Sequence, residues 1–375
     1  MKKLFLFFLV VSWISILFLS TSVEAQTKVF KWKVQSGSPA GDLMLGNLKD
    51  LVAKIEEMSG GRLTIEVLPA GAVVPPFEIL DGVHKLIVDG GHTWPGWWTG
   101  KHPAVALYGG VPGGPFGMND DDLMGWLHLG GGQELYTELY QKEMKYDVVV
   151  FPTFKKTPEV LGWFKKPVKS VAEFKGLKFR TSGLTAEVFK ELGMSVVTLP
   201  PGELLPALER GVIDGGEIVD PAIDMSLGLH TVRKIYMMPS LQQVTGIMEI
   251  FIHKKKWEEL PPDLKAIVKW ACMTEALTFN LKCLNANSLA LETLVTKHGV
   301  TVVETPHEIN IEILKAWDRV AERKARDNPF FAKVLASQKA WAGRVVPYRL
   351  VAHPPYGLTA EYYWKGANPY KPVKP

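Results

Sequence analysis

Two charged side chains at strand ends carry the chemistry that this sequence offers. Arg180 closes the alternation Leu177-Lys178-Phe179-Arg180, and Glu217 follows the glycine pair Gly215-Gly216. Between them, residues 184–192 have helical spacing stopped by Gly193, residues 196–199 form a β-branched strand pattern, and residues 203–210 are a second amphipathic run. The stretch 176–221 therefore reads as β-α-β-α-β. Open parallel sheets meet their ligands just beyond the carboxyl ends of the strands, which is where Arg180 and Glu217 fall. The same residue types also suit a solvated edge arginine and a loop carboxylate.

A second cluster occupies residues 90–101, Gly-Gly-His-Thr-Trp-Pro-Gly-Trp-Trp-Thr-Gly-Lys. It has the look of a phosphate loop without its geometry. Such a loop needs four residues between its outer glycines and a hydroxyl residue after the lysine. Gly96 and Gly100 enclose only three, His102 follows Lys101, and Trp97 and Trp98 fill the space where backbone amides must approach phosphate. Nucleotide binding is rejected on that ground. Trp94, Trp97 and Trp98 would make an apolar wall for a small ligand; core or interface packing suits them equally well.

The elements that must position these residues begin after an export address. Lys2 and Lys3 precede an apolar run over residues 4–19, and Val23-Glu24-Ala25 offers a small-residue cleavage site, so residues 1–25 read as a secretory signal peptide. An uncleaved anchor is the other reading of that run. No later segment reaches the roughly 20 apolar residues of a membrane helix. Cleavage would leave about 350 of the 375 residues, more than one ordinary core, so two lobes are expected. The formal charge is +4, falling to +3 once Lys2, Lys3 and Glu24 are removed, and the basic residues form no stripe. That gives no electrostatic case for nucleic acid. The two cysteines, Cys272 and Cys283, lie about 16 Å apart along one helix-like segment, out of disulfide reach, and read as buried small hydrophobes. No Cys/His cluster has zinc spacing.

Phe30, Trp32 and Val34 alternate with lysines as a half-buried strand, residues 44–58 have helical spacing, and Leu63, Ile65 and Val67 alternate again. That β-α-β order makes the sheet at least partly parallel. A helical stretch is expected near 77–87, a Gly/Pro-rich loop over 109–117, and a helix over 134–142 after three glycines. Residues 147–151 are a continuous apolar strand. The break Phe154-Lys155-Lys156-Thr157-Pro158 then suits a crossing between lobes, with Glu159 just ahead of strand-like 161–164. Residues 249–253 read as a returning strand. Residues 263–298 are helix-like, up to ~54 Å long. A last strand covers 300–304, and helices over 309–326 and 330–345 part at Asn328-Pro329. From residue 346 an extended tail is expected, rich in Pro and Tyr.

Four of these motifs occur together in one known family. Residues 159–164, residues 176–183, Leu199-Pro200-Pro201-Gly202-Glu203 and Asp214-Gly215-Gly216-Glu217 resemble, in order and spacing, the extracytoplasmic solute-binding subunits of tripartite ATP-independent periplasmic (TRAP) transporters. Val74-Pro75-Pro76-Phe77-Glu78, residues 94–101 and residues 111–117 resemble the branch that binds 2-oxo acids and related monocarboxylates. The likeness runs from about residue 28 to beyond 300. It implies an α/β, two-lobed periplasmic-binding-protein-like fold with crossing strands, a long helix spanning both lobes, and C-terminal helices. Lobe 1 would take residues 26–147 plus about 246–290, and lobe 2 residues 148–245 plus about 291–345 with the C-terminal helices. The implied function is capture of a small carboxylate, such as pyruvate, in the periplasm for delivery to the TRAP membrane subunits. Some relatives exchange a C-terminal helix as dimers, which leaves a homodimer open.

The resemblance also assigns residues. Arg180 would fork onto the ligand carboxylate, a role that suits a guanidinium because it is planar and stays charged when desolvated. Trp94 and Trp98 would line the ligand. A metal ion, sodium or calcium given all-oxygen donors, would bridge ligand and protein through Glu159, Glu217, the Ile218 carbonyl and Gln243. The family pattern has Gln at the first of these places, Trp at the third and Glu at the last, so amide and carboxylate are exchanged here. Two other classes stay in view. One is an exported hydrolase with Glu159 and Glu217 as paired carboxylates; the other is a ligand-sensing partner of a membrane receptor, built on the same site. Against the hydrolase, the sequence has no nucleophile elbow, and His307-Glu308 lacks the second histidine of a metalloprotease.

Overall fold

Alternating burial builds the first sheet. In β1 (Phe30–Ser36) Phe30, Trp32 and Val34 are buried while Lys31 and Lys33 face solvent, as a period of two requires. The computed structural model describes residues 28–365, 370 and 372–375; the expected signal peptide lies outside the described residues. Helix α1 (Leu43–Ser59) starts where the Asp42 carboxylate accepts from the Met44 N–H and stops at Gly60 in the left-handed region. It returns the chain to β2 (Leu63–Leu68), parallel to β1, and β3 (Gly90–Thr93) pairs parallel on the other side of β1. Short helices over residues 79–143 then lead to β4 (Val148–Lys155).

The chain next crosses to a second sheet. It comprises β5 (Gly162–Phe164), β6 (Lys178–Arg180), β7 (Ser195–Val197), β8 (Gly215–Gly216) and β9 (Ile235–Met238), with α2 (Thr185–Glu191), α3 (Pro201–Glu209) and α4 (Pro221–Ser226) between strands. β6 is parallel to both β7 and β8. The chain then returns to the first sheet as β10 (Ile247–His253), antiparallel to β3 and β4. Final orders are β2-β1-β3-β10-β4 and, once β11 (Thr301–Glu304) joins, β11-β9-β5-β8-β6-β7. The two crossings run side by side. Lys156 N–H donates to the Gly246 carbonyl at 2.8 Å, and Glu159 N–H to the Gln243 carbonyl at 2.9 Å.

Helix α5 (Pro262–Thr296) is ~52 Å long and packs on α1 and β4 of one lobe and α4 of the other. Cys272 and Cys283 are free and buried on it. After β11, α6 (His307–Asp327) packs on α2 of the second lobe, with Lys324 2.6 Å from Glu187. Helix α7 (Pro329–Ala352), expected with lobe 2, instead lies on lobe 1. The reason is its anchors: Gln338 donates to the Leu107 carbonyl at 2.8 Å, the Trp341 indole to the Asp122 carbonyl at 2.9 Å, and Arg349 pairs with Asp122. The extended tail expected from residue 346 is corrected as well. Helix α7 runs on to Ala352, and α8 (Tyr356–Trp364) forms after Pro354-Pro355; near the end of the chain Val373 bridges Val303 of β11.

Lobe 1 is organised around one buried acid. Glu249 on β10 accepts from Trp98 Nε1 at 3.0 Å, Thr93 Oγ1 at 3.2 Å, and the hydroxyls of Tyr140 and Tyr136. Burial pushes its pKa up from 4.5 to about 7, against the opposing pull of those donors. Between about pH 4.5 and 7 the native state keeps a proton that the unfolded chain has lost, so stability falls as pH rises through that window. Glu249→Gln removes this contribution. Unfolding free energies from urea titrations of wild type and variant should converge near pH 5 and diverge in the variant's favour by up to about 3 kcal/mol above pH 7. A difference that does not change with pH would show that Glu249 does not titrate there.

Candidate ligand cavity

Bare backbone lets the second sheet place its charges. A Cβ on Gly216 would come 2.8 Å from Leu204 and 3.2 Å from Arg180 Cβ, so a glycine is needed where β8 pairs with β6. The pairing sets Glu217 beside Arg180. Arg180 is buried and locked: Nε and Nη2 donate to the Leu199 carbonyl at 3.0 and 2.9 Å, and Nη1 to the Glu217 carbonyl at 2.5 Å. Nη1 also lies 3.6 Å from the Glu217 carboxylate. Three of the five N–H donors are thus used on main-chain oxygens, leaving one hydrogen on each terminal nitrogen. Burial lowers the Arg180 pKa, opposed by Glu217 and Glu159; a guanidinium remains charged even so.

The crossing segments supply the facing wall. Glu159 and Gln243 are buried, and Gln243 Nε2 donates to Glu159 Oε1 at 2.8 Å and to the Gly109 carbonyl at 3.2 Å. Both partners are acceptors, so the amide nitrogen, not its oxygen, faces Glu159. Lys156 Nζ forms an ion pair with the same Glu159 oxygen. Burial raises the Glu159 pKa well above the usual carboxylate range; Lys156 opposes this, and the neighbouring Glu217 adds to it.

Lobe 1 contributes the aromatic wall. The Trp94 indole N–H donates to the Gly109 carbonyl at 2.7 Å, and Lys156 Nζ lies 5.1 Å from the ring centre. Trp97 lies against Gly37, where a Cβ would come within 2.2 Å of its ring. Together these groups line a cavity between the lobes, formed by Trp94, Trp97, Arg180, Glu217, Ile218 and Gln243 among others.

Of the residues named from sequence, Trp94, Glu159, Arg180, Glu217, Ile218 and Gln243 all line this cavity. Trp98 does not, which corrects its expected place on the ligand wall. It is fully buried behind it, with its N–H committed to Glu249, and Trp97 takes the lining position. Sequence reasoning missed Lys156. Its only signal is a lysine three residues before Glu159 in the crossing, next to Lys155, which points outward to Asp120 and Asp121 at 3.3 and 2.6 Å.

Residues 35–327 match the family of bacterial extracellular solute-binding proteins, family 7 (DctP). The chain belongs to this family. It is 31% identical, over 88% of its length and 89% of the relative's, to the monocarboxylate 2-oxoacid-binding periplasmic protein of Nostoc sp.. A TRAP transporter solute-binding protein from Bordetella bronchiseptica, with copurified calcium and picolinate, superposes with a TM-score of 0.84 at 26% identity, covering 91% of this chain and 98% of that one. A TRAP periplasmic solute-binding protein from Pseudoalteromonas atlantica, with bound sodium and pyruvate, gives 0.82 at 29% identity, covering 88% and 99%. The two-lobed fold is that of these TRAP proteins.

The DctP cavity described above has oxygen donors of the kind a hard cation takes: two carboxylates, an amide and the main chain at Ile218. By residue type the set suits sodium or calcium, but Lys156 already holds the Glu159 oxygen and Gln243 presents its nitrogen to it. Among the described residues no three His, Cys, Asp or Glu side chains gather as a metal site, so the set depends on the amide and the carbonyl.

The wall geometry makes tryptophan emission a reporter of the cavity. Replacing Trp94 and Trp97 by Phe should abolish most of the ligand-dependent change in fluorescence, while Trp98→Phe should keep it. A full response in the double variant would place the ligand elsewhere.

Proposed function

We propose that this chain is an extracytoplasmic receptor that closes two lobes around a small monocarboxylate, a 2-oxo acid such as pyruvate, and delivers it to TRAP membrane subunits in the periplasm. The observation that carries this reading is Arg180: a guanidinium fixed by the Leu199 and Glu217 carbonyls, with one donor hydrogen left on each terminal nitrogen at a cavity wall. The remaining donors suit an end-on carboxylate. Trp94 and Trp97 cover the apolar end of the ligand. Glu159 and Glu217 alone would repel an anion, so they require a cation against them. In the pyruvate and picolinate complexes of the relatives a sodium or calcium ion accompanies the ligand; here the cation is such an ion or a side chain standing in its place. The likeness to the Nostoc relative and to the pyruvate and picolinate complexes supports the substrate class.

A hydrolase fits less well. Glu217 helps to raise the Glu159 pKa, but Glu159 is paired with Lys156 and Gln243 rather than free to act as an acid or nucleophile. The receptor releases its ligand unchanged.

Calorimetric titration with pyruvate, longer 2-oxo acids and lactate, in buffer containing sodium and calcium, should show binding. Arg180→Lys should weaken it by about 2–3 kcal/mol, because lysine cannot supply two parallel donors. Equal affinity in the variant would remove Arg180 from the ligand.

Contacts from both lobes favour the closed state, so ligand should reduce the radius of gyration in small-angle scattering. A radius that does not change in a protein shown to bind would rule out closure on binding.

A further inference from the structure

We propose that Lys156 is a cation built into the binding site, its ammonium taking the place of the bridging metal ion, so that this receptor captures its carboxylate without sodium or calcium. The inference rests on the carboxylate-receptor reading and concerns how that site is neutralised. Lys156 starts from the crossing strand, where its N–H is held by the Gly246 carbonyl at 2.8 Å. Its side chain is almost fully buried, lines the cavity, lies over the Trp94 ring and pairs with Glu159. The ammonium therefore stands on the first of the oxygens that a metal would use.

Two N–H donors, from Lys156 and Gln243, converge on Glu159 Oε1. For Glu159 and Gln243 to share a metal, Lys156 must leave and the Gln243 amide must turn, giving up its 3.2 Å bond to the Gly109 carbonyl. An ammonium needs neither change.

Charge leads to the same assignment. The charged groups on the wall are Glu159, Glu217, Arg180, Lys156 and Asp42, and Asp42 is committed to capping α1, accepting from Met44 N–H at 3.0 Å. With Glu159 and Glu217 both ionised the other four sum to zero, and a bound monocarboxylate brings the site to −1. Without Lys156 the same site reaches −1 only with a monovalent cation added. Lys156 thus supplies the positive charge that such a cation would otherwise bring.

The test uses the full mature chain, stripped with chelator and dialysed into sodium-free buffer. Wild type should bind pyruvate with an affinity that changes by less than about threefold when millimolar calcium or ordinary sodium is restored. Lys156→Met should lose about tenfold or more when stripped and recover with either cation, and Lys156→Arg, which keeps the charge, should stay insensitive to added sodium or calcium whatever its affinity. Calcium added without pyruvate should give binding heat, or a raised Tm, in Lys156→Met and not in wild type. Loss of wild-type affinity on stripping would overturn the proposal, as would calcium binding equally tight in wild type and variant; the wild-type arm needs no variant to fold. If no carboxylate binds wild type in any buffer, the receptor reading fails, and the calcium titrations still decide the role of Lys156.

Discussion

Two carboxylates buried side by side constrain everything around them. Glu159 and Glu217 face one cavity, and each needs positive charge or N–H donors to stay there, because a buried acid without partners is pushed toward its neutral form. Arg180 answers Glu217 from the adjoining strand, and Lys156 answers Glu159 from the same crossing segment. Neither cation is free to wander. Arg180 is tied by three bonds to main-chain oxygens, and Lys156 springs from backbone that is itself hydrogen bonded across the crossing. A ligand entering this cavity would meet charges whose positions are already set, which lowers the ordering cost of binding.

That arrangement needs two sheets that share a boundary. Glu159, Lys156 and Gln243 come from the crossings, Arg180 and Glu217 from the ends of β6 and β8, and the tryptophans from the turn after β3. A single sheet offers one such edge; two lobes joined by paired strands offer opposing edges and a hinge. Helix α5 touches both lobes, and α6 and α7 are divided between them, so relative motion is confined to what the crossings and these helices permit.

The β-α-β pattern around Arg180 and Glu217 was legible because period-2 and period-3.6 runs alternate there with glycine stops, and strand ends in such units point to a ligand. The site residues on the crossings were not legible from period alone. Glu159 and Gln243 came from family likeness, and Lys156 had no signal beyond its neighbours, since a lysine in a Pro-flanked break reads as solvated. Trp98 misled for a definable reason. Residues 95–100 form a tight helical turn, and adjacent tryptophans on such a turn face opposite sides, so which one meets the cavity depends on Glu249, a partner more than 150 residues away. The placement of α7 was equally a tertiary matter, decided by where Trp341 and Gln338 find carbonyl partners.

A carboxylate at position 159 and an amide at position 243 follow from the same electrostatics. A carboxylate at 243 would lie against the Gly109 carbonyl, which the Gln243 nitrogen now satisfies at 3.2 Å, and two acceptors at that distance repel. A carboxylate at 159 lies three residues from Lys156 on one short segment, so its charge is cancelled locally and both side chains stay paired however the lobes rotate. With the amide at 243 the same Glu159 oxygen gains a second N–H donor from the opposite crossing. Negative charge thus sits on the strand that carries its own counter-ion, and Lys156, Glu159 and Gln243 make physical sense as one unit.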